Sequence, residues 1–278
     1  MAMQAEISME PITAGTFCWN ELAVRDVEKA GAFYTALFGW TVDTCDNGAM
    51  PYTLFKMGDF PVGGMIQMDS DWPEDVPSHW GCYISSDDVD AMAEKATELG
   101  GTLCCGPQEA GDEGRFAVIA DPTGAVISIF KGGDGKNPQG HGSFCWNELL
   151  TNDMDKASDF YTNLLGWKAE PTKTSAEPYT VFMNGETWAG GMMKMHWEGQ
   201  PTWLGYVSVA SVDETTAKAV ELGATVCVEP ADIPGIGRYA VFTDPGGATI
   251  AAFTGLSECC RDGNGCCSLH NQEENLDY

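Results

Sequence analysis

Basic residues are scarce in this chain. Only 14 Lys and Arg stand against 41 Asp and Glu in 278 residues, a formal net charge of -27. The phosphate attraction that drives nucleic-acid and anionic-membrane binding has the wrong sign on such a surface, so neither partner is expected. The charge suits a cationic partner, and it suits solubility or a salty habitat equally well. No apolar run approaches the length of a transmembrane helix. Residues 1–14 lack the basic and apolar stretches of a secretory signal. These absences make the cytoplasm the expected location, with most of the 11 Cys as free thiols. Histidine is sparse as well: His79, His141, His196 and His270 are the only four.

What is present is ordinary core material, 44% hydrophobic against 20% charged, and a repeat. Phe17-Cys18-Trp19-Asn20-Glu21-Leu22 recurs 127 residues later as Phe144-Cys145-Trp146-Asn147-Glu148-Leu149. The same spacing carries Gly39-Trp40 onto Gly166-Trp167, Tyr52-Thr53 onto Tyr179-Thr180, and Gly63-Gly64-Met65 onto Gly190-Gly191-Met192. Further on it falls to 123, carrying Gly114-Arg115 onto Gly237-Arg238 and Asp121-Pro122 onto Asp244-Pro245, so the second copy has a short deletion. A period this long marks a duplicated domain rather than a solenoid. The expected domains are 13–132 and 143–255, joined by a Gly- and Pro-rich linker at 133–142 and followed by a flexible, Cys-rich acidic tail at 256–278.

Within the first copy, alternation predicts strand Phe17–Val24. Asp26 can cap a helix to Phe38, with Gly39 as its stop. Strands Thr41–Asp43, Tyr52–Met57 and Val62–Met68 follow, and then the order repeats: strand Trp80–Ser85, helix Val89–Leu99, and strands near Leu103, Phe116–Ala120 and Val126–Phe130. Ser211-Val212-Asp213-Glu214 is a capping box for the matching helix of the second copy. Each copy is therefore an α+β domain made of two βαβββ modules. One module buries one face of its sheet under its helix, so two modules give a curved mixed sheet around a cleft.

The stretches ELAVRDVEKAGAFYTALFGW and ADPTGAVISIF resemble the first strand and helix and the last hairpin of the vicinal-oxygen-chelate (glyoxalase/bleomycin-resistance/extradiol-dioxygenase) superfamily. The opening of each copy is similar to that of tandem glyoxalase-like proteins. In metal-dependent members the resemblance implies one divalent ion held by His, Glu or Gln. Those positions fall on Trp19 and Trp146, on Ser128 and Ala251, on Trp80 or Gly81 and Trp203 or Leu204, and on Met65 or Gln67 and Met192 or Lys194. Indole, methyl and thioether groups do not ligate hard divalent ions. No metal or other cofactor is expected in the clefts.

By the two-residue strand period, Trp19 and Glu21, like Trp146 and Glu148, should share the cleft face. The Trp can be a platform for an aromatic or cationic ligand beside a Glu that orients it or acts as acid/base. Alternatively the Trp is core filler and the Glu pairs with an Arg. Tyr52 and Tyr179 are further cleft candidates with the same core alternative. Arg115 and Arg238 either hold a substrate anion or pair with Glu21 and Glu148. His79 and His196 can border a cleft, although no His sits at a repeat-equivalent position. In the tail, Cys259, Cys260, Cys266 and Cys267 can hold a soft metal, Zn or Cu, or form labile disulfides.

Three functions remain open at this level. The first is a small-molecule-binding protein using Trp-lined clefts without the usual metal. The second is a lyase, isomerase or oxygenase-type enzyme with Glu21 or Glu148 as acid/base. The third is a thiol-based metal or redox role for the tail. A monomer, its two copies paired within the chain, and a homodimer are both compatible with the sequence.

Overall fold

A computed structural model describes residues 8–46, 51–133, 136–172 and 178–256. A short strand, β1 (Ser8–Pro11), leads in. The first module is β2 (Phe17–Val24), α1 (Val27–Phe38), β3 (Thr41–Asp46), β4 (Pro51–Met57) and β5 (Phe60–Gln67). The second is β6 (His79–Ser85), α2 (Val89–Glu98), β7 (Thr102–Glu109), β8 (Gly114–Ala120) and β9 (Val126–Gly132). After β10 (Lys136–Gln139) the second copy repeats the order: β11 (Phe144–Thr151), α3 (Met154–Leu165), β12 (Lys168–Pro171), β13 (Tyr179–Asn184) and β14 (Thr187–Lys194). Its last module is β15 (Thr202–Ser208), α4 (Val212–Glu221), β16 (Thr225–Ile233), β17 (Gly237–Thr243) and β18 (Thr249–Gly255).

The local signals act as expected. Asp26 and Asp153 accept the backbone N–H of Lys29 and Lys156 at 2.9 and 3.0 Å, which fixes where α1 and α3 begin. Gly39 and Gly166 end those helices in the left-handed region, at φ 74° and 73°. The strands assemble into two open eight-stranded sheets, β3-β4-β5-β2-β6-β9-β8-β7 and β12-β13-β14-β11-β15-β18-β17-β16. Both are mixed: β2 runs antiparallel to β6 at the seam between modules and parallel to β5. No helix among the described residues is long and apolar enough to cross a membrane.

Each sheet buries its convex face, and the two convex faces share their cores. Trp40, Phe55 and Trp80 of the first domain belong to one cluster with Val207, Phe242 and Ile250 of the second. Ile119 and Ile129 are joined in the same way to Tyr161, Trp167 and Trp203. Exchanged aromatics lock the arrangement. Phe144 packs on Trp40 and Trp80, with ring centroids 6.1 and 5.2 Å away, and Phe17 packs on Trp167 and Trp203 at 6.0 and 5.2 Å. Trp40 donates its indole N–H to the Gly142 carbonyl at 2.7 Å, and Trp167 donates to that of Gly15 at 2.9 Å. Repeat-equivalent Asn20 and Asn147 hydrogen-bond each other at 3.0 Å while buried. A residue can meet its own equivalent only on a two-fold axis, so the chain is a pseudo-dimer within itself.

Part of the expected linker is regular structure. β10 lies inside it and pairs antiparallel with β1, and Asn137 donates to the Phe17 carbonyl at 2.8 Å. Pro11 and Pro138 hid this ribbon, because proline reads as a strand breaker although a two-stranded edge tolerates it.

Candidate functional site

Leu22, Val24, Met65 and Trp80 lie in the convex core. Strand alternation therefore turns their neighbours Trp19, Glu21, Ala23, Gly64 and Gly81 to the concave face. The register brings these residues together: Glu21 lies between Gly64 and Gly81, Trp19 is opposite Tyr83, and Tyr83 is beside Ser128.

A hydrogen-bond chain runs across this face. The Trp19 indole N–H donates to the Tyr52 hydroxyl at 2.9 Å, and Tyr52 donates to Glu21 Oε2 at 2.7 Å. From the other side Tyr83 donates to Glu21 Oε1 at 2.7 Å. Ser128 hydrogen-bonds Tyr83 in turn. Burial pushes the Glu21 carboxyl above the ordinary range, opposed by the two tyrosine hydrogen bonds and the nearby His79. The first Gly pair now has a specific cause. A β-carbon on Gly64 would collide with the Tyr52 hydroxyl and lie 3.0 Å from the Trp19 indole nitrogen, so only glycine lets the phenol cross the strand.

The second domain repeats the frame. Trp146 donates to the Tyr179 hydroxyl at 3.1 Å, Tyr206 donates to Glu148 Oε2 at 2.8 Å, and Tyr179 also hydrogen-bonds Glu148. Burial raises the Glu148 carboxyl, partly offset by those two tyrosines. With the folded value above the unfolded one, this group's contribution to stability is complete below the unfolded pKa and is lost as pH rises through the folded one. Glu148→Gln, neutral at every pH, should therefore melt higher than the native protein in alkaline buffer. That advantage should vanish toward about pH 4, the ordinary carboxylate range. Thermal midpoints across pH check this, and a gap independent of pH refutes it.

Trp19, Glu21 and Tyr52 lie together on the first concave face, and Trp146, Glu148 and Tyr179 on the second. Tyr83 and Tyr206, not among the candidates read from the sequence, join them. Both are tyrosines at equivalent repeat positions, on the same strand face as Gly81 and Leu204, and that was the available signal.

The arginines hold neither a substrate position nor the cleft glutamates, and each pairs with two acidic residues instead. Arg115 grips Asp90 with Nε and Nη2, both at 2.7 Å, and Glu109 with Nη1 at 2.8 Å. Arg238 holds Asp213 at 2.8 and 2.9 Å and Asp232 at 2.7 Å. Neither meets Glu21 or Glu148, and neither faces a cleft. Arg115 shares its strand face with Ala117 and Ile119 of the convex core, so it points away from the concave side and braces the start of α2. His79 stands at the cleft mouth, its Nδ1 2.9 Å from the Pro77 carbonyl and its ring 6.2 Å from that of Trp72. Cys259, Cys260, Cys266 and Cys267, with the soft-metal role expected for them, lie outside the described residues.

The concave residues do not fit the divalent ion that the resemblance implies. Trp80 and Met65 belong to the convex core, which leaves Gly81 or Tyr83 and Gly64 or Ile66 facing the cleft. Gln67 pairs with core residue Val24, on the convex side. With Trp19 and Ser128 at the remaining positions, none of these first-domain positions supplies a carboxylate, and Glu21 beside them is held by tyrosines. Among the described residues no three His, Cys, Asp or Glu side chains converge. Hard divalent ions need several oxygen or imidazole donors.

Comparison with known proteins agrees with this architecture. The chain is 37% identical over 248 residues to CFP32 of Mycobacterium tuberculosis, named as a glyoxylase, covering 85% of this chain and 94% of that protein. It is 34% identical over 257 residues to the anthracycline biosynthesis protein DnrV of Streptomyces peucetius, covering 86% and 93%. The Mn(II)-bound glyoxalase of Novosphingobium aromaticivorans superposes with a TM-score of 0.61 at 16% identity over 87% of this chain and 82% of that one, a likeness of fold alone. Residues 16–129 and 144–252 each match one sequence profile, and the chain belongs to the Glyoxalase/Bleomycin resistance protein/Dioxygenase superfamily.

Proposed function

We propose that the chain binds a small planar aromatic or cationic molecule on the concave face beside Trp19 and Glu21, without the superfamily's metal. One observation carries this reading. Glu21 is a half-buried carboxylate aimed into an aromatic cleft, held by tyrosine hydroxyls and by no Lys or Arg among the described residues. A half-buried carboxylate with no Lys or Arg partner, and only His79 nearby as a cationic group, favours a ligand that brings a positive charge. Trp19 and Tyr83 flank it with ring surface suited to stacking or cation–π contact. The acidic surface concentrates cations near the cleft. The names of the relatives, a glyoxylase and an anthracycline biosynthesis protein, both concern small-molecule chemistry.

Proflavine, a planar aromatic cation, is a direct probe. Its fluorescence should titrate saturably with the native protein, and Glu21→Gln should weaken binding about tenfold, the loss of one charge-assisted hydrogen bond. Absence of saturable binding to the native protein, or equal affinity for the variant, overturns the proposal.

A second reading makes Glu21 or Glu148 a general acid/base in a lyase, isomerase or oxygenase-type reaction. Its support is the raised carboxyl of each, a direction that brings a carboxylic acid toward the working range of proton transfer. Under that reading Glu21→Gln abolishes turnover of a ligand that still binds.

A further inference from the structure

The two concave faces carry the same polar frame but different fillings. Where the first domain has Ala23, Gly81 and Ser128, the second has Leu150, Leu204 and Ala251. In the second domain Leu150, Leu204, Tyr206, Val241 and Phe253 are all buried and form one apolar cluster across the concave face. Glu148 beneath them is 6% exposed, Tyr206 5% and Phe253 7%. Their counterparts Glu21, Tyr83 and Phe130 are all partly exposed, and no matching cluster covers them among the described residues. The space that Leu204 fills is free in the first domain: a β-carbon on Gly81 would meet only the Glu21 carbonyl, at 3.8 Å. Open space borders Glu21, Tyr83 and Ser128 of the first sheet and continues to Trp146, Trp188 and Thr202 of the second domain, and neither Glu148 nor Tyr206 lines it.

We infer that only the first domain's cleft is open to a ligand. The second domain is closed by its own side chains, with Leu150 and Leu204 as the fill, and acts as the partner that completes the shared core. The identity of the ligand rests on the proposed function above; the closure of the second cleft does not. Well-packed apolar side chains leave no room for a guest without a cavity being made first. Deleting a buried leucine makes such a cavity, and cavities of this kind accept ligands.

Hydroxyl-radical footprinting of the full-length protein, read by mass spectrometry, tests the closure without any variant. Tyr83 and Phe130 should be oxidised several-fold faster than Tyr206 and Phe253; equal rates overturn the inference. Leu204→Gly should raise the Tyr206 rate toward that of Tyr83, and no change there counts against the inference. Proflavine should bind with a stoichiometry of one per chain and protect Tyr83 but not Tyr206. Two equivalents, or protection of Tyr206, overturns it. Unequal oxidation with no dye binding sustains the closed second cleft and sinks the proposed ligand class instead.

Discussion

Trp40→Ala is expected to destabilise the protein by about 4–6 kcal/mol and to do so in both domains at once. Trp40 is buried, 3% exposed, and stacks among Tyr34, Phe38, Phe55, Trp80 and Phe144. Truncating a buried tryptophan costs about 3–5 kcal/mol through lost burial and the cavity left behind. The Gly142 carbonyl also loses its donor, which adds about 1 kcal/mol or more. Against the roughly 5–15 kcal/mol that separates most folded domains from unfolded ones, the loss is large. The same cluster contains Val207, Phe242 and Ile250 of the second domain, so the damage cannot stay in the first. Urea unfolding followed by far-ultraviolet circular dichroism and by fluorescence should show one transition at lower denaturant, coincident for both probes. A biphasic curve with half of the signal unmoved contradicts a shared core.

Gly64→Ala is expected to disable the concave site while leaving the fold in place. The new methyl group occupies the position of the Tyr52 hydroxyl, so Tyr52 must swing off the strand. Two hydrogen bonds go with it, the one from Trp19 and the one to Glu21, and the displaced phenol enters the space over Trp19 where a ligand would stack. Losing the oriented carboxylate and the platform together should cost roughly 2–3 kcal/mol of binding, a fall in proflavine affinity on the order of 100-fold. Two lost hydrogen bonds cost about 1 kcal/mol each, so the thermal midpoint should fall by several degrees while the far-ultraviolet circular dichroism of the folded state stays native. Unchanged affinity with an unchanged fold contradicts the role given to the hydrogen-bond chain.

The sequence makes the fold legible where local chemistry repeats. The 127-residue echo around Trp19 and Trp146, the caps at Asp26 and Ser211, and the stops at Gly39 and Gly166 mark out both domains and the opening of each module. Alternation along Phe17–Val24 also places Trp19 and Glu21 on one face. The same rule, applied to β8, turns Arg115 away from Phe116 and toward Ala117 and Ile119, yet a rare cation beside a predicted cleft carries more intuitive weight than strand parity. Other features depend on contacts between distant residues. Gly64 is required by a phenol arriving from the neighbouring strand, and Trp40 by a carbonyl from the linker. The difference between Gly81 and Leu204 is visible in the sequence, but its meaning depends on which face of the sheet those positions occupy.

Under the proposed function, Glu21 anchors a ligand in an open first cleft while Glu148 is sealed in the second. Carbon-13 NMR of side-chain carboxyls, labelled in glutamate and assigned with the Glu21→Gln and Glu148→Gln variants, reads both groups in the same sample. On saturation with proflavine, the Glu21 resonance should move and its titration midpoint should fall, since a bound cation favours the carboxylate. Glu148 should not respond. A response at both groups, or at Glu148 alone, contradicts the account, and so does no response at Glu21 under saturating dye.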